Sequence, residues 1–363
     1  MHIRPLFGAF FVILKEMKSE QINPNWEDKK ITPLEDPLGE FNVRGGLNFD
    51  DYQNLVAHMN EAHPEQGKQD WDIIKSKLPS YEMMEDPSSL QKLRVQRFNW
   101  PTSSEDLGDT PVTIINSPFG IPIDLPQTEY RNFILAEAIR LPVLIIENPG
   151  YGDSEKLTED QKKDLRSGSF HKVADSMLGI IESLGVNKIN LVGYSMGSEL
   201  AAAIAADAKI HQLNIENILI MESPRIEEQN PAKLAKNFAN DIDNLKFTWQ
   251  HPIDPVLREI AGTKLKVGLP KGLFTYGIAL FQGGIKNDLE TALKDQPNMK
   301  LTIANAGSST ISSSKANSII FDYLKQEYPE HNISRIVIPG ESHAFADNVA
   351  RFASLVDIVF NKR

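Results

Sequence analysis

The stretch "INLVGYSMGSEL", from Ile189 to Leu200, places one serine between two glycines directly after a short apolar run. The run Ile189–Val192 is typical of a buried strand, and the Ala-rich segment after Ser195 is typical of a helix. A serine at such a strand-to-helix turn has an exposed hydroxyl at a helix N-terminus, where backbone N–H groups stabilise negative charge. The stretch therefore predicts a nucleophilic serine. The alternative is a small residue in a tight bend.

The sequence around this stretch alternates strand-like apolar runs with segments of helical period. The predicted strands are Leu93–Trp100, Val112–Pro118, Pro142–Gly150, Lys188–Ser195, Asn217–Ser223, Lys300–Ala306 and Ser334–Gly340. Runs of Val, Ile and Leu between helices are typical of parallel strands that are buried on both faces. The sequence therefore predicts an α/β protein with a doubly wound, mostly parallel sheet.

The alternation stops between Pro224 and Pro297, where the patterns are helical. The predicted division is an N-terminal extension of unassigned role over residues 1–92, a core over 93–223 and 298–363, and a helical cap over 224–297. Within the extension, Phe49–Ala62 has a helical pattern. An insertion of this kind is the simplest account of a helical segment inside an alternating chain.

Composition excludes several classes of protein. The 38 basic and 49 acidic residues give a net charge of −11, which opposes binding to nucleic acid and to anionic lipid. The chain contains no Cys, so disulfides, thiolate zinc sites and cysteine nucleophiles are excluded. We expect no cofactor, no metal and no nucleic-acid partner. The sequence does not indicate an oligomeric state.

The first residues of the chain are apolar between Pro5 and Leu14. This run has the length of a signal-peptide core but lacks a small-residue cleavage site, and it is too short to span a bilayer. We expect a first strand or a docked helix here and a cytoplasmic protein. The alternative is that residues 1–14 are a weak export or membrane-surface segment. No other apolar run approaches the roughly 18 residues of a membrane span.

Two motifs point to one family. Gly193–Gly197 reads G-x-S-x-G, and "IIENPGYGDS" (Ile145–Ser154) is similar to a D-x-P-G-x-G-x-S loop, with Glu147 where Asp is usual. With the strand order, the helical insertion and a late His, these motifs resemble the α/β-hydrolase superfamily over Leu93–Arg363. The resemblance implies an α/β-hydrolase sheet and a catalytic triad.

A serine hydroxyl becomes an effective nucleophile when a base accepts its proton. In this family the base follows the last strand, where "RIVIPGESHAFADN" (Arg335–Asn348) contains His343 just after a strand and a turn. The other histidines are explained as terminal, surface or capping residues. The resemblance therefore implies His343 as the base.

The third triad member departs from the usual pattern. Most family members place an Asp after the seventh strand, but here that loop reads "GSSTISSS" (Gly307–Ser314), with Ser308 or Ser309 at the expected place. Glu222 ends the preceding strand in "ILIMESPRI", a placement similar to that in some haloalkane dehalogenases, although those enzymes use an Asp nucleophile. We expect Glu222 to be the acid. The alternative acids are Glu341 and Asp347, and the alternative role of Glu222 is a structural carboxylate facing Arg225.

Acyl transfer also needs two N–H donors for the oxyanion. One is expected from Met196, directly after the nucleophile. The other is expected from the loop "NSPFG" (Asn116–Gly120), whose position-for-position donor is Pro118, a residue without an N–H. The second donor is then expected to come from Phe119, Ser117 or the Asn116 side chain.

These residues predict a serine hydrolase that acts on a carboxylic ester or related small-molecule acyl substrate through an acyl-enzyme on Ser195. We expect Tyr194, Asn116 and Phe274 to contact that substrate, and the cap to exclude water. An amidase or aminopeptidase of the same fold is the alternative enzyme. A binding protein that has kept the fold without turnover is the alternative from another class.

Overall fold

The computed structural model describes residues 42–44, 71–103, 107–227, 234, 236–238, 272–282, 284–338, 341–347 and 349–360. The apolar segment at 1–14, the predicted helix Phe49–Ala62 and most of the predicted cap lie outside these residues. The described helices include none that is long and apolar enough to cross a membrane.

The described strands form one sheet of nine in the order β1-β9-β8-β7-β6-β4-β5-β3-β2. They are β1 (Asn42–Arg44), β2 (Tyr81–Glu85), β3 (Lys92–Phe98), β4 (Val112–Asn116), β5 (Val143–Ile146), β6 (Lys188–Tyr194), β7 (Asn214–Met221), β8 (Lys300–Ala306) and β9 (Asn332–Ile338). Strands β4 to β9 are mutually parallel, whereas β1, β2 and β3 each pair in antiparallel fashion. The predicted mostly parallel sheet is confirmed. Two strands, β1 and β2, come from residues 1–92, so part of the predicted N-terminal extension is built into the sheet.

Helices cover both faces of the sheet. They are α1 (Trp71–Lys75), α2 (Pro126–Ile139), α3 (Glu159–Arg166), α4 (His171–Ser183), α5 (Met196–Asp207), α6 (Leu273–Ala279), α7 (Ile285–Asp295), α8 (Ser314–Glu327) and α9 (Val349–Phe360). The buried side chains of α1, α2 and α9 form one apolar cluster, and those of α3 to α8 form the other.

Successive residues of a central strand point to opposite clusters. Along β7, Ile218 and Ile220 belong to one cluster, and Leu219 and Met221 belong to the other. This is why the strand reads as a continuous apolar run rather than as an alternation of apolar and polar residues. The parallel register also brings the carboxyl ends of β4 to β8 to one edge, which is where ligands bind in open α/β sheets.

Candidate active site

Ser195 connects β6 to α5 in a strained backbone conformation. Its φ of 55° and ψ of −125° lie in a region that residues with side chains rarely adopt. The Ser195 N–H donates to the Met221 carbonyl at 2.9 Å. The Ser198 hydroxyl lies 2.8 Å from the same carbonyl and 3.0 Å from that of Gly193. These bonds tie the turn to β7 and hold the serine at the edge of the sheet.

The two flanking glycines are required by close backbone approach. A Cβ on Gly193 would lie 2.5 Å from the Ser198 Cα. A Cβ on Gly197 would overlap the carbonyl oxygen of Asn116. The first turn of α5 is thereby brought against both β6 and the residues that follow β4.

His343 lies between the serine and a carboxylate. It opens a short 3-10 helix (His343–Asp347) after β9, and it is 6% exposed. Its Nε2 is 3.0 Å from Ser195 Oγ, and its Nδ1 is 2.8 Å from Glu222 Oε2. The Tyr194 ring stacks on the imidazole with centroids 5.6 Å apart, and the Phe238 ring meets it edge-on at 5.9 Å. The Tyr194 hydroxyl also donates to the His343 carbonyl, so packing and a hydrogen bond both fix the ring.

Glu222 follows β7 directly and is completely buried. Its φ of 55° is again in the left-handed region. The Glu222 Oε1 accepts from the Ala306 N–H at 2.5 Å, and Oε2 accepts from the Ser309 hydroxyl at 2.6 Å in addition to facing His343. A buried carboxylate is costly without such donors, and these contacts offset that cost.

Ser309 stands in the loop where most family members carry an Asp. It is buried and donates to Glu222, and it accepts from the Ser312 N–H at 3.1 Å, whereas its neighbour Ser308 is exposed. Sequence reasoning noted the serine without assigning it a contact. The serine-rich composition of the loop was the available signal, because hydroxyls are donors that a buried carboxylate can use.

The alternative acids, and the arginine that was the alternative partner of Glu222, have the following contacts. Glu341 forms an ion pair with Arg351. Arg225 lies 3.6 Å from Glu199, a buried residue of α5 whose Oε1 accepts from the Ser223 hydroxyl at 2.5 Å. Burial raises the pKa of Glu199 to about 7. The side chain of Asp347 is outside the described residues.

Of the residues predicted for the oxyanion hole, Met196 adjoins Ser195 in the chain, and the backbone of Asn116 and Ser117 approaches Gly197. Met196 begins α5, so its N–H is one of those that have no acceptor within the helix. Asn116 ends β4 opposite Gly193 in β6, and its side-chain amide donates to the Val192 carbonyl at 3.3 Å. Ser117 is buried.

The far end of the same loop contacts other elements. The Gly120 N–H donates to the Tyr151 hydroxyl at 3.0 Å. The Phe119 ring lies 3.5 Å from where a Cβ on Gly277 in α6 would stand. Phe274, also in α6, is half exposed.

The unusual Glu147 is paired with an arginine that sequence reasoning missed. Its carboxylate accepts from Arg94 at two atoms, Nε at 2.9 Å and Nη2 at 2.7 Å. The Arg94 Nη1 also lies 3.1 Å from Asp124 and from Asp153. This bidentate pair anchors the end of β5 to β3.

Comparisons with known proteins agree with this fold. A family model described as the alpha/beta hydrolase fold matches residues 126–251. This chain has the α/β-hydrolase fold. Among curated proteins, no sequence matches the chain.

Solved structures share this α/β-hydrolase fold at low sequence identity. A 2-hydroxy-6-oxo-6-phenylhexa-2,4-dienoate hydrolase from a Rhodococcus species has a TM-score of 0.53 at 17% identity, over 78% of this chain and 100% of its own. An esterase from Exiguobacterium antarcticum has a TM-score of 0.52 at 15% identity, over 78% and 99%. An enol-lactonase from Burkholderia xenovorans has a TM-score of 0.52 at 13% identity, over 78% and 100%. At these identities the likeness shows the fold alone.

Proposed function

We propose that the protein is a serine hydrolase that cleaves a carboxylic ester or related small-molecule acyl substrate through an acyl-enzyme on Ser195. One observation carries the proposal, the continuous contact from Ser195 Oγ through His343 to Glu222 at 3.0 and 2.8 Å. A hydroxyl, an imidazole and a carboxylate in this sequence of contacts form the arrangement that activates a serine for acyl transfer.

The proposed reaction has two steps. Ser195 Oγ attacks the substrate carbonyl carbon while His343 Nε2 accepts the hydroxyl proton, and the imidazolium then gives that proton to the departing alkoxide. Water next attacks the acyl-enzyme carbonyl while His343 accepts its proton, and the imidazolium then gives that proton to Ser195 Oγ as the bond to the acyl carbon breaks and the carboxylic acid leaves. Glu222 fixes the tautomer of the imidazole and stabilises the imidazolium in both steps.

The proposed oxyanion donors are the Met196 N–H and one group from the loop Asn116–Gly120. Within that loop Pro118 has no N–H, and the Gly120 N–H already donates to Tyr151. Phe119, Ser117 and the Asn116 amide therefore remain the proposed sources. Removing one such donor lowers kcat by about 10²–10³-fold in other enzymes.

Substrate selection is assigned to the cap over 224–297, together with Tyr194, Asn116 and Phe274. Tyr194 would act through His343, against which it packs. Two of the fold neighbours are named as an esterase and an enol-lactonase, which is consistent with an acyl substrate.

Labelling with a fluorophosphonate followed by mass spectrometry tests the proposal. We expect one label per chain on Ser195, no label in Ser195→Ala, and slowed labelling in His343→Ala. Ser308→Ala is the matched control, because Ser308 is an exposed serine in the loop after β8. This variant should leave the rate of labelling unchanged. Parallel assays with ester and anilide substrates separate an esterase from an amidase. Absence of both labelling and turnover would favour the binding-protein alternative.

A further inference from the structure

The loop that should supply the second oxyanion donor is held by a tyrosine outside the triad. The Gly120 N–H donates to the Tyr151 hydroxyl at 3.0 Å. Tyr151 lies in the loop after β5, and its side chain is completely buried. Burial raises the pKa of Tyr151 above its ordinary value, so the hydroxyl stays neutral.

Helix α6 fixes the position of that tyrosine. The Tyr276 ring meets the Tyr151 ring edge-on at 5.4 Å, with 81° between the ring planes. Tyr276 is itself fully buried, stacks on Phe170 at 6.3 Å and donates its hydroxyl to the Pro149 carbonyl at 3.2 Å. One ring contact and two hydrogen bonds therefore connect α6, the loop after β5 and the loop after β4.

The same three segments approach one another closely. A Cβ on Gly150, whose φ is +81°, would lie 3.1 Å from the Gly272 backbone nitrogen. A Cβ on Gly120, whose φ is +75°, would lie 3.3 Å from the Leu273 side chain. The start of α6 therefore packs directly on both loops, and the loop after β4 has little freedom to shift.

We propose that Tyr151 is a positioning residue of the oxyanion hole, holding the loop after β4 in register with Ser195 through the Gly120 N–H. The inference rests on the proposed function. Because Pro118 removes one N–H from this loop, the remaining donors depend on how the loop is oriented. Preorganised donors stabilise a transition state only when they are held close to the position of the oxyanion.

Tyr151→Phe tests the role, since it removes the hydroxyl and keeps the ring. We expect kcat on an ester substrate to fall about tenfold or more, with KM within about twofold, because the loop contact acts on the transition state rather than on substrate binding. The inhibition constant of a trifluoromethyl ketone should rise by the same factor as kcat falls, while that of the product carboxylate should not change. Tyr323→Phe is the control, because it removes a hydroxyl that bonds to Glu290 at 2.5 Å on the helical surface of α8.

The outcomes separate the two proposals. If fluorophosphonate does not label the wild-type protein, the proposed function fails and this inference fails with it. If the wild type is labelled and Tyr151→Phe reacts at the same rate, or only its Tm falls, this inference alone is overturned. Should Tyr151→Phe not fold, Tyr276→Leu removes the ring contact and keeps the Tyr151 hydroxyl. In that variant kcat and ketone affinity should fall together, and unchanged values would overturn the inference.

Discussion

On the side of Ser195 formed by β7 to β9, the candidate site is a run of side-chain hydrogen bonds, whereas on the other side the loop after β4 is held through a backbone N–H and by packing. The first side joins Ser195, His343, Glu222 and Ser309 at 2.6 to 3.0 Å. The second side rests on the Gly120 N–H bond to Tyr151 and on the contact of both loops with α6.

The two sides accommodate departures from the usual family pattern in different ways. A side-chain carboxylate can reach the same imidazole from a neighbouring strand end, and Glu222 lies 2.8 Å from His343 Nδ1 while it accepts from the Ser309 hydroxyl. A backbone donor has no such freedom, because its position is set by the path of the chain. A proline in that loop must therefore be compensated by the way the whole loop is held.

The largest expected effect is on the hydrogen-bonded side. Glu222→Gln should lower kcat/KM by about 10⁴-fold, because the amide does not stabilise the imidazolium and favours the wrong tautomer. Steady-state kinetics measures this directly. Glu341→Gln is the matched control, since Glu341 pairs with Arg351 and should keep most activity. If Glu222→Gln stays active while Glu341→Gln or Asp347→Asn does not, the acid has been assigned wrongly.

The next largest effect is expected at Gly197, where α5 approaches the loop after β4. Gly197→Ala should lower kcat by about 10²-fold or more, because the added Cβ overlaps the Asn116 carbonyl and displaces the loop after β4. Alanine is ordinarily about 1 kcal/mol better than glycine inside a helix, so a lower Tm would also report the overlap. Gly185→Ala is the control. The φ of Gly185 is +70°, so an alanine there is strained, but its added Cβ would have no atom within 4 Å. Full activity in Gly197→Ala would contradict the close approach.

A smaller effect is expected at Ser309. Ser309→Ala removes one hydroxyl donor from the buried Glu222 carboxylate, and hydrogen bonds to charged groups contribute about 1.5–3 kcal/mol. We expect kcat/KM to fall about tenfold, because Glu222 keeps its contacts to Ala306 and His343. Ser308→Ala, the exposed neighbour, should match the wild type. Equal losses in both variants would show a general disturbance of the loop.

The last prediction concerns stability and the contact between Ser223, which follows Glu222, and Glu199 in α5. Because burial raises the pKa of Glu199 to about 7 from 4.5, the folded protein binds more protons than the unfolded chain between these pH values. The free energy of unfolding should therefore fall by about 3 kcal/mol as the pH rises from 4.5 to 7.

Glu199→Gln should remove this slope, as measured by urea unfolding across the same pH range. Arg225 and Ser223, which oppose the effect of burial, are unchanged in the variant. Glu216→Gln is the control, because Glu216 is a partly exposed partner of Lys188 at 3.2 Å. A slope that persists in Glu199→Gln would assign the pH dependence to other groups.

Much of the fold could be predicted because its signals are local. The run Lys188–Ser195 and the helix Met196–Asp207 were predicted within one residue of β6 and α5. Apolar runs and flanking glycines are read directly from neighbouring residues. The two strands from residues 1–92 were not expected, because β2 alternates partly exposed polar and apolar residues and β1 has only three residues.

The site was predictable only in part. Ser195 could be predicted from the glycines on either side of it. Both glycines are required because neighbouring backbone segments approach them closely. Tyr151, Arg94 and Ser309 were missed as partners, because each contacts a residue from a different strand end. No periodicity or spacing in the chain records such a contact.

The strand alternation, the turn at Ser195 and the absence of thiol chemistry can all be read from the amino-acid sequence, since they depend on residue type and on near neighbours. The tertiary structure decided which carboxylate faces His343, 121 residues away from Glu222, and which hydroxyl accepts from Gly120. The physical reason is that parallel strands bring their carboxyl ends to one edge, so residues far apart in the chain come within hydrogen-bond distance only after the sheet has formed.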